Sequence, residues 1–153
     1  MQSDSPLYTE DEVLRHFTDL LPALDLEREI AELGFGLNGI FKRRRSLDEF
    51  TSMCIAMWGL ALERSFPEEA EVFFRSFLEN SPTLGKGKKR EESLARIMAY
   101  SALFDLRKEN DFSPVARYMA GKLNPGTGDE KALLLKLSLT MRKLYKIIFD
   151  YLI

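Results

Sequence analysis

Residues Gly34 to Ser46 contain the pattern of a phosphate-binding loop followed by a run of positive charge. The stretch GFGLNGIFKRRRS reads G-x-G-x-x-G and then continues into four consecutive basic residues. In dinucleotide-binding proteins such glycines join a strand to a helix whose N-terminal amides face a pyrophosphate. Here the preceding LEREIAEL has helical periodicity, and no strand–helix–strand pattern surrounds it. We therefore interpret Gly34 as a helix stop and Asn38-Gly39 as a turn.

The side chains that most often bind metals or act as nucleophiles are few. His16 is the single histidine and Cys54 the single cysteine, whereas transition-metal sites usually combine several such ligands. Glu12 and Asp19 flank His16 at helical spacing, which favours a surface histidine paired with acids. Cys54 lies in the apolar run MCIAMWGLAL, which favours a small buried hydrophobe over a catalytic thiolate.

Acidic pairs offer the remaining route to acid–base catalysis. They occur at Asp48-Glu49, Glu68-Glu69 and Glu91-Glu92, and each is predicted to lie in the first turn of a helix, where negative charge is stabilised by the helix dipole. The chain contains neither a G-x-S-x-G motif nor the E-x-x-H motif of di-iron bundles. We therefore expect no catalytic residue, no metal and no cofactor, and hence a protein that is not an enzyme.

Composition predicts one soluble globular domain spanning residues 1–153, with 45% hydrophobic and 30% charged residues. The net charge is −2, but residues 1–32 carry −7, residues 33–90 carry +3 and residues 91–153 carry +2. One cysteine and an acidic N-terminal stretch favour the reducing cytoplasm. No apolar run reaches the roughly 20 residues that a membrane-spanning helix needs, so we expect no membrane partner.

Apolar residues recur at helical rather than strand spacing, which predicts an all-α fold: a compact bundle of about seven helices. Acidic helices are predicted over 9–33, beginning at a Thr9–Glu12 capping box. A similar pattern at Ser46–Glu49 predicts that a long central helix begins there. A mostly buried C-terminal core helix is predicted over 129–152. On the fifth helix the residues expected to face inward are Leu94, Ile97, Met98 and Phe104.

Residues 46–82 and 88–125 have a similar order of features. Each follows a basic cluster and contains a long helix, a shorter helix begun at a proline, and an asparagine and proline that end it. Their offset of about 45 residues is within the range of helical-hairpin repeats. Residue identity between them is poor, so two hairpin repeats and a bundle without repeats both remain open.

Two groups of basic residues are the candidate functional residues. The first basic cluster consists of Lys42, Arg43, Arg44 and Arg45, and the second of Lys86, Lys88, Lys89 and Arg90. Each precedes a predicted long helix, whose free N-terminal amides also favour anions. If the two long helices run parallel, the clusters lie at one end of the domain and form a joint anion-binding surface.

Two classes of function remain. The first is a non-enzymatic helical protein-interaction module, of the adaptor, assembly-factor or chaperone type, which binds a protein partner or a second copy of the chain. The second is binding of nucleic acid or another polyanion through the two basic clusters. The overall acidic charge, the lack of aromatic residues interleaved with the clusters and the acidic segment 1–32 count against the second class.

Overall fold

The computed structural model describes residues 9–33, 40–104, 111–123 and 130–152, with the backbone alone for 40–42. Within these ranges it is entirely helical and compact, as the periodicity predicts. The seven α-helices are α1 (Glu10–Ala23), α2 (Leu26–Leu33), α3 (Ile40–Ser65), α4 (Ala70–Asn80), α5 (Lys88–Ser101), α6 (Ser113–Leu123) and α7 (Glu130–Asp150). A 3-10 turn, Pro82–Leu84, connects α4 to α5.

Helix α1 begins at the predicted capping box. The hydroxyl of Thr9 accepts a hydrogen bond from the Glu12 amide at 3.2 Å, and the Glu12 carboxylate accepts one from the Thr9 amide at 3.1 Å. The bond from the Thr9 amide also lowers the pKa of Glu12, because it stabilises the charged carboxylate. The apolar stripe of α1 is buried against α3 and α4, so this acidic helix docks on its own domain.

Helix α3 begins six residues earlier than the Ser46–Glu49 pattern predicts. It starts at Ile40, so Ser46 lies inside the helix and is only 2% exposed. Glu49 is also buried, and its carboxyl oxygen accepts a hydrogen bond of 2.6 Å from the Tyr100 hydroxyl. The capping-box prediction is wrong here because Glu49 is engaged across the bundle by Tyr100 rather than at a helix end. Because α3 begins at Ile40, Asp48-Glu49 is not in a first turn.

Helix α3 is the centre of the bundle. It contacts all six other α-helices, and its residues are almost all buried from Phe50 to Leu62. The indole of Trp58 stacks on Phe17 of α1 with centroids 4.5 Å apart and meets Phe77 of α4 edge-on at 5.1 Å. Because its side chains are apolar on all sides, α3 can serve as a core for every neighbour at once.

Gly59 on α3 allows α4 to approach closely. A Cβ atom at this position would lie 2.9 Å from Cε1 of Phe74, closer than carbon atoms pack without displacement. The ring of Phe74 therefore lies directly over the α3 backbone. Glycine at this position sets the separation of the two helices.

Helix α7 is buried along one side only. Leu137, Met141, Leu144 and Ile148 belong to the core, whereas Leu135 and Leu139 are 61% and 51% exposed. The prediction of a mostly buried C-terminal helix is therefore correct for one face and wrong for the other. The difference arises because α7 packs against α2, α3 and α6 but has solvent on its outer side.

Buried polar groups in the described part of the chain are all paired. The buried Glu29 of α2 accepts a hydrogen bond of 2.8 Å from Lys143 of α7, and the Arg96 Nε of α5 donates to the hydroxyl of Ser52 on α3 at 3.2 Å. These bonds link helices that are distant in sequence, because a buried polar atom left unpaired is costly.

The predicted repeat is matched in part by element lengths. Helices α4 and α6, the shorter member of each pair, both have 11 residues, but α3 has 26 and α5 has 14. The Asn124-Pro125 stop lies outside the described residues, and so do Gly34 and the Asn38-Gly39 turn. Helix α2 ends at Leu33, where the sequence predicts a stop, and the repeat itself stays a prediction.

The aromatic cluster around Trp58 gives a direct test of the core. Replacing Phe17 with Ala removes a ring that contacts both Trp58 and Phe77, so we expect a loss of about 3–5 kcal/mol in the free energy of unfolding. Urea denaturation followed by Trp58 fluorescence measures it. The exposed Val72→Ala change should stay within about 0.5 kcal/mol of wild type. A loss for Phe17→Ala as small as that of Val72→Ala would contradict the docking of α1.

Candidate interaction site

A groove with a volume of about 1020 Å³ opens between α4 and α5 above the surface of α3. Its floor is formed by one face of α3, one wall by α4, and the other wall by the end of α5 and the residues that follow it. The lining residues are Ala56, Gly59, Leu60, Glu63, Ala70, Glu71, Phe74, Arg75, Leu78, Met98, Ser101, Ala102, Leu103, Phe104, Asp111 and Pro114. We call this feature the α4–α5 groove.

Small side chains on α3 make the groove deep. Ala56 and Gly59 lie one turn apart on the face that lines it, and neither projects beyond a methyl group. On the α4 wall, Phe74 and Leu78 are half-buried and present the remainder of their apolar surface to the groove. The groove is therefore a concave apolar surface rather than a gap between charged side chains.

Met98 forms the opposite wall and corrects a prediction. The sequence pattern places it on the inner face of α5, but its side chain is 56% exposed and lines the groove. Its neighbour Ile97 is fully buried, as is Tyr100. The core side of α5 is therefore rotated away from Met98, because α5 buries one narrow face against α3 and leaves the next one open towards α4.

Two hydrogen bonds hold the start of α5 against the end of α4 and the 3-10 turn that follows it. The Arg90 guanidinium donates to the backbone carbonyl of Leu78, the last groove residue of α4. The buried hydroxyl of Ser93 donates to the carbonyl of Leu84 in the 3-10 turn at 3.2 Å. Both bonds run from side chains of α5 to backbone carbonyls, so they hold α5 in place at one end of the α4–α5 groove.

The charged residues of the groove lining give it a net negative charge. Three acids, Glu63, Glu71 and Asp111, accompany a single base, Arg75. Arg75 pairs with Glu71 one turn away on α4. A carboxylate oxygen of Asp111 accepts a hydrogen bond from the Ser113 amide at 3.2 Å, at the start of α6. The lining therefore carries a formal charge of −2 around its apolar floor.

The structure separates the eight basic candidates into different roles. Arg90 is bound to Leu78, so it holds α4 and α5 together. The side chain of Lys42 lies outside the described residues. The remaining six are exposed: Arg43, Arg44, Arg45, Lys86, Lys88 and Lys89. The first basic cluster lies within the opening turns of α3 rather than before the helix, because α3 begins at Ile40.

The two side chains considered for metal binding or nucleophilic catalysis, His16 and Cys54, lie in different environments. His16 is exposed, and its ring lies 5.7 Å from that of Tyr151. Cys54 is fully buried in the apolar face of α3. Within residues 9–33, 40–104, 111–123 and 130–152, no group of three or more His, Cys, Asp and Glu side chains is placed to hold a metal ion.

Sequence reasoning missed the groove residues because the signal they carry is weak. Gly59 interrupts a ten-residue apolar run, which marks a close helix approach only when the partner helix is known. Met98 follows Ile97 directly, and two adjacent apolar residues leave the orientation of a short helix ambiguous. The acids at the rim are indistinguishable in sequence from ordinary surface charges.

Burial predicts an inert thiol. It raises the pKa of Cys54 to about 12, because the thiolate is disfavoured in apolar surroundings, and the charge of Glu29 adds to this. At pH 8 such a shift lowers the thiolate fraction about 1000-fold, so Ellman's reagent should label the native protein at least that much more slowly than the urea-unfolded chain. Labelling of the folded protein within a few-fold of the unfolded rate would show that Cys54 is accessible.

Comparison of the chain with protein-family models, curated proteins and solved structures finds no match. No helix in the described ranges is long and apolar enough to cross a membrane.

Proposed function

We propose that this protein is a non-enzymatic interaction module that binds a helical segment of a protein in the α4–α5 groove. The observation that carries the proposal is the exposure of large apolar side chains around a concave surface. Met98 is more than half exposed, and Phe74 and Leu78 are only partly covered. A concave, largely apolar pocket with a few polar groups is the usual form of a binding site.

The dimensions of the groove suit an α-helix. Its floor extends from Ala56 to Glu63, seven residues along α3, which corresponds to about 10 Å or two helical turns. A helix carrying apolar residues at positions i, i+3 or i+4, and i+7 presents a stripe of similar length. The volume of about 1020 Å³ also lies at the upper limit for pockets that enclose small molecules, about 300–1,000 Å³, and the groove is partly open to solvent.

The lining supports binding rather than catalysis. The lining residues given above contain no histidine, cysteine or lysine. Two of its carboxylates are already engaged, Glu71 with Arg75 and Asp111 with the start of α6. A general base and a nucleophile within hydrogen-bond reach of each other would be expected at an acyl-transfer or hydrolytic site, and the apolar groups here provide contact area instead.

A charge introduced on the groove wall should abolish partner binding. We expect Met98→Glu to reduce recovery of a stoichiometric protein partner at least 10-fold in affinity capture from the native cell, because a buried unpaired carboxylate opposes apolar contact. Val72→Glu is the matched control, since Val72 is 53% exposed on α4 and does not line the groove. Recovery of no partner or second copy by wild type, or equal recovery by both variants, would refute the proposal.

A second candidate function, polyanion binding, is favoured by the start of α5. Lys88 and Lys89 are exposed in its first turn, where the helix dipole disfavours cations. The preceding Gly87 provides no side-chain cap, so a bound anion would satisfy free amides and neutralise the lysines together. Basic side chains in this position are costly for the helix alone and useful when an anion is present.

Salt dependence tests the polyanion candidate. If all six exposed cluster residues contact phosphates of duplex DNA, a plot of log affinity against log salt should have a slope of about −5. Changing these six residues to Ala should remove most of that slope in fluorescence-anisotropy titrations with labelled DNA and RNA. Arg90 is left intact because it supports α4. Changing the exposed Arg117 and Arg142 to Ala is the control, and equal binding by the six-residue variant and wild type would exclude this function.

A further inference from the structure

The outer face of α7 is apolar and positively charged, whereas the lining of the α4–α5 groove is apolar and negatively charged. Leu135 and Leu139 lie one turn apart and are both more than half exposed. Arg142 continues the same face one turn further on, and Lys136 lies one turn before Leu139; both are exposed. The result is an apolar pair bordered by positive charge, and it projects from a helix whose opposite side is anchored in the core.

We propose that the α4–α5 groove of one molecule binds the outer face of α7 of a second copy, so that the protein self-associates head to tail. The inference rests on the proposed function, since it requires that the groove accept a helix. Leu135 and Leu139 would cover the apolar floor and the Met98 wall. Arg142 and Lys136 would face a rim whose formal charge is −2. Charge complementarity of this kind sets orientation and excludes acidic competitors.

Within the described residues, the outer face of α7 and the α4–α5 groove do not cover each other. The main contacts of α7 are with α2, α3 and α6, whereas the groove is built mainly from α3, α4 and α5, with Pro114 of α6 also lining it. In the described part of the chain the two surfaces therefore lie on separate parts of the domain. Because a groove meets a different surface on its neighbour, the interface is heterologous, and repetition produces a ring or an open chain rather than a closed two-fold dimer.

Sedimentation velocity of the full chain tests self-association. We expect the weight-average mass of wild type to rise beyond that of a dimer between about 1 µM and 1 mM, the range of weak to moderate affinities. Met98→Glu and Leu139→Glu should each raise the dissociation constant at least 10-fold, and Val72→Glu should behave as wild type. All three substituted residues are exposed apolar positions, and circular dichroism verifies folding of each variant.

Mixing the two variants gives the decisive result. Leu139→Glu retains an intact groove and Met98→Glu retains an intact α7 face, so an equimolar mixture should form dimers and nothing larger. A wild type that stays monomeric throughout the range, a Met98→Glu or Leu139→Glu variant that associates as wild type does, or a mixture that stays monomeric would each overturn the inference. These outcomes are separate from failure of the proposed function: loss of a cellular partner by Met98→Glu, with a monomeric wild type, leaves the groove as a site for a different protein.

Discussion

The fold depends on burial of α3 by all six of its neighbours. Trp58 of α3 contacts α1 and α4 at the same time. A helix with a single apolar face could not bury side chains against so many neighbours. Each neighbouring helix has one apolar face, and none of these faces needs to be wide because α3 supplies apolar side chains in every direction. The outer surfaces of the surrounding helices are consequently free to carry charge or to bind other molecules.

The same arrangement explains which features the sequence predicted. Helical periodicity was sufficient for the number and order of helices, and Thr9 and Glu12 formed their capping box because a helix end in solvent has no competing partner. Ser46 and Glu49 have the same local pattern, but Tyr100, 51 residues away in sequence, takes the Glu49 carboxyl group. Local motifs fail at such positions because the winning contact is not local.

The candidate site was less accessible to sequence reasoning for a related reason. A groove exists where two helices do not meet, and periodicity reports only the faces that are buried. Met98 has the composition of a core residue, yet α5 turns it towards the space beside Phe74. The basic clusters are obvious in sequence, but the sequence does not show that one member, Arg90, binds the carbonyl of Leu78. Charge runs are read easily, whereas the role of each member depends on the fold.

Rigidity links the core to the proposed interaction. The groove floor belongs to α3, the most buried helix, and Gly59 fixes the approach of Phe74 from α4. At the other wall, the Tyr100 hydroxyl of α5 donates a hydrogen bond to Glu49 of α3. Burial, and to a smaller extent this hydrogen bond, raises the pKa of the Tyr100 hydroxyl, so it remains a neutral donor. Because both walls are attached to one central helix, the width of the groove is set before any partner arrives. A preformed groove loses little conformational entropy on binding, so modest apolar contacts suffice for recognition.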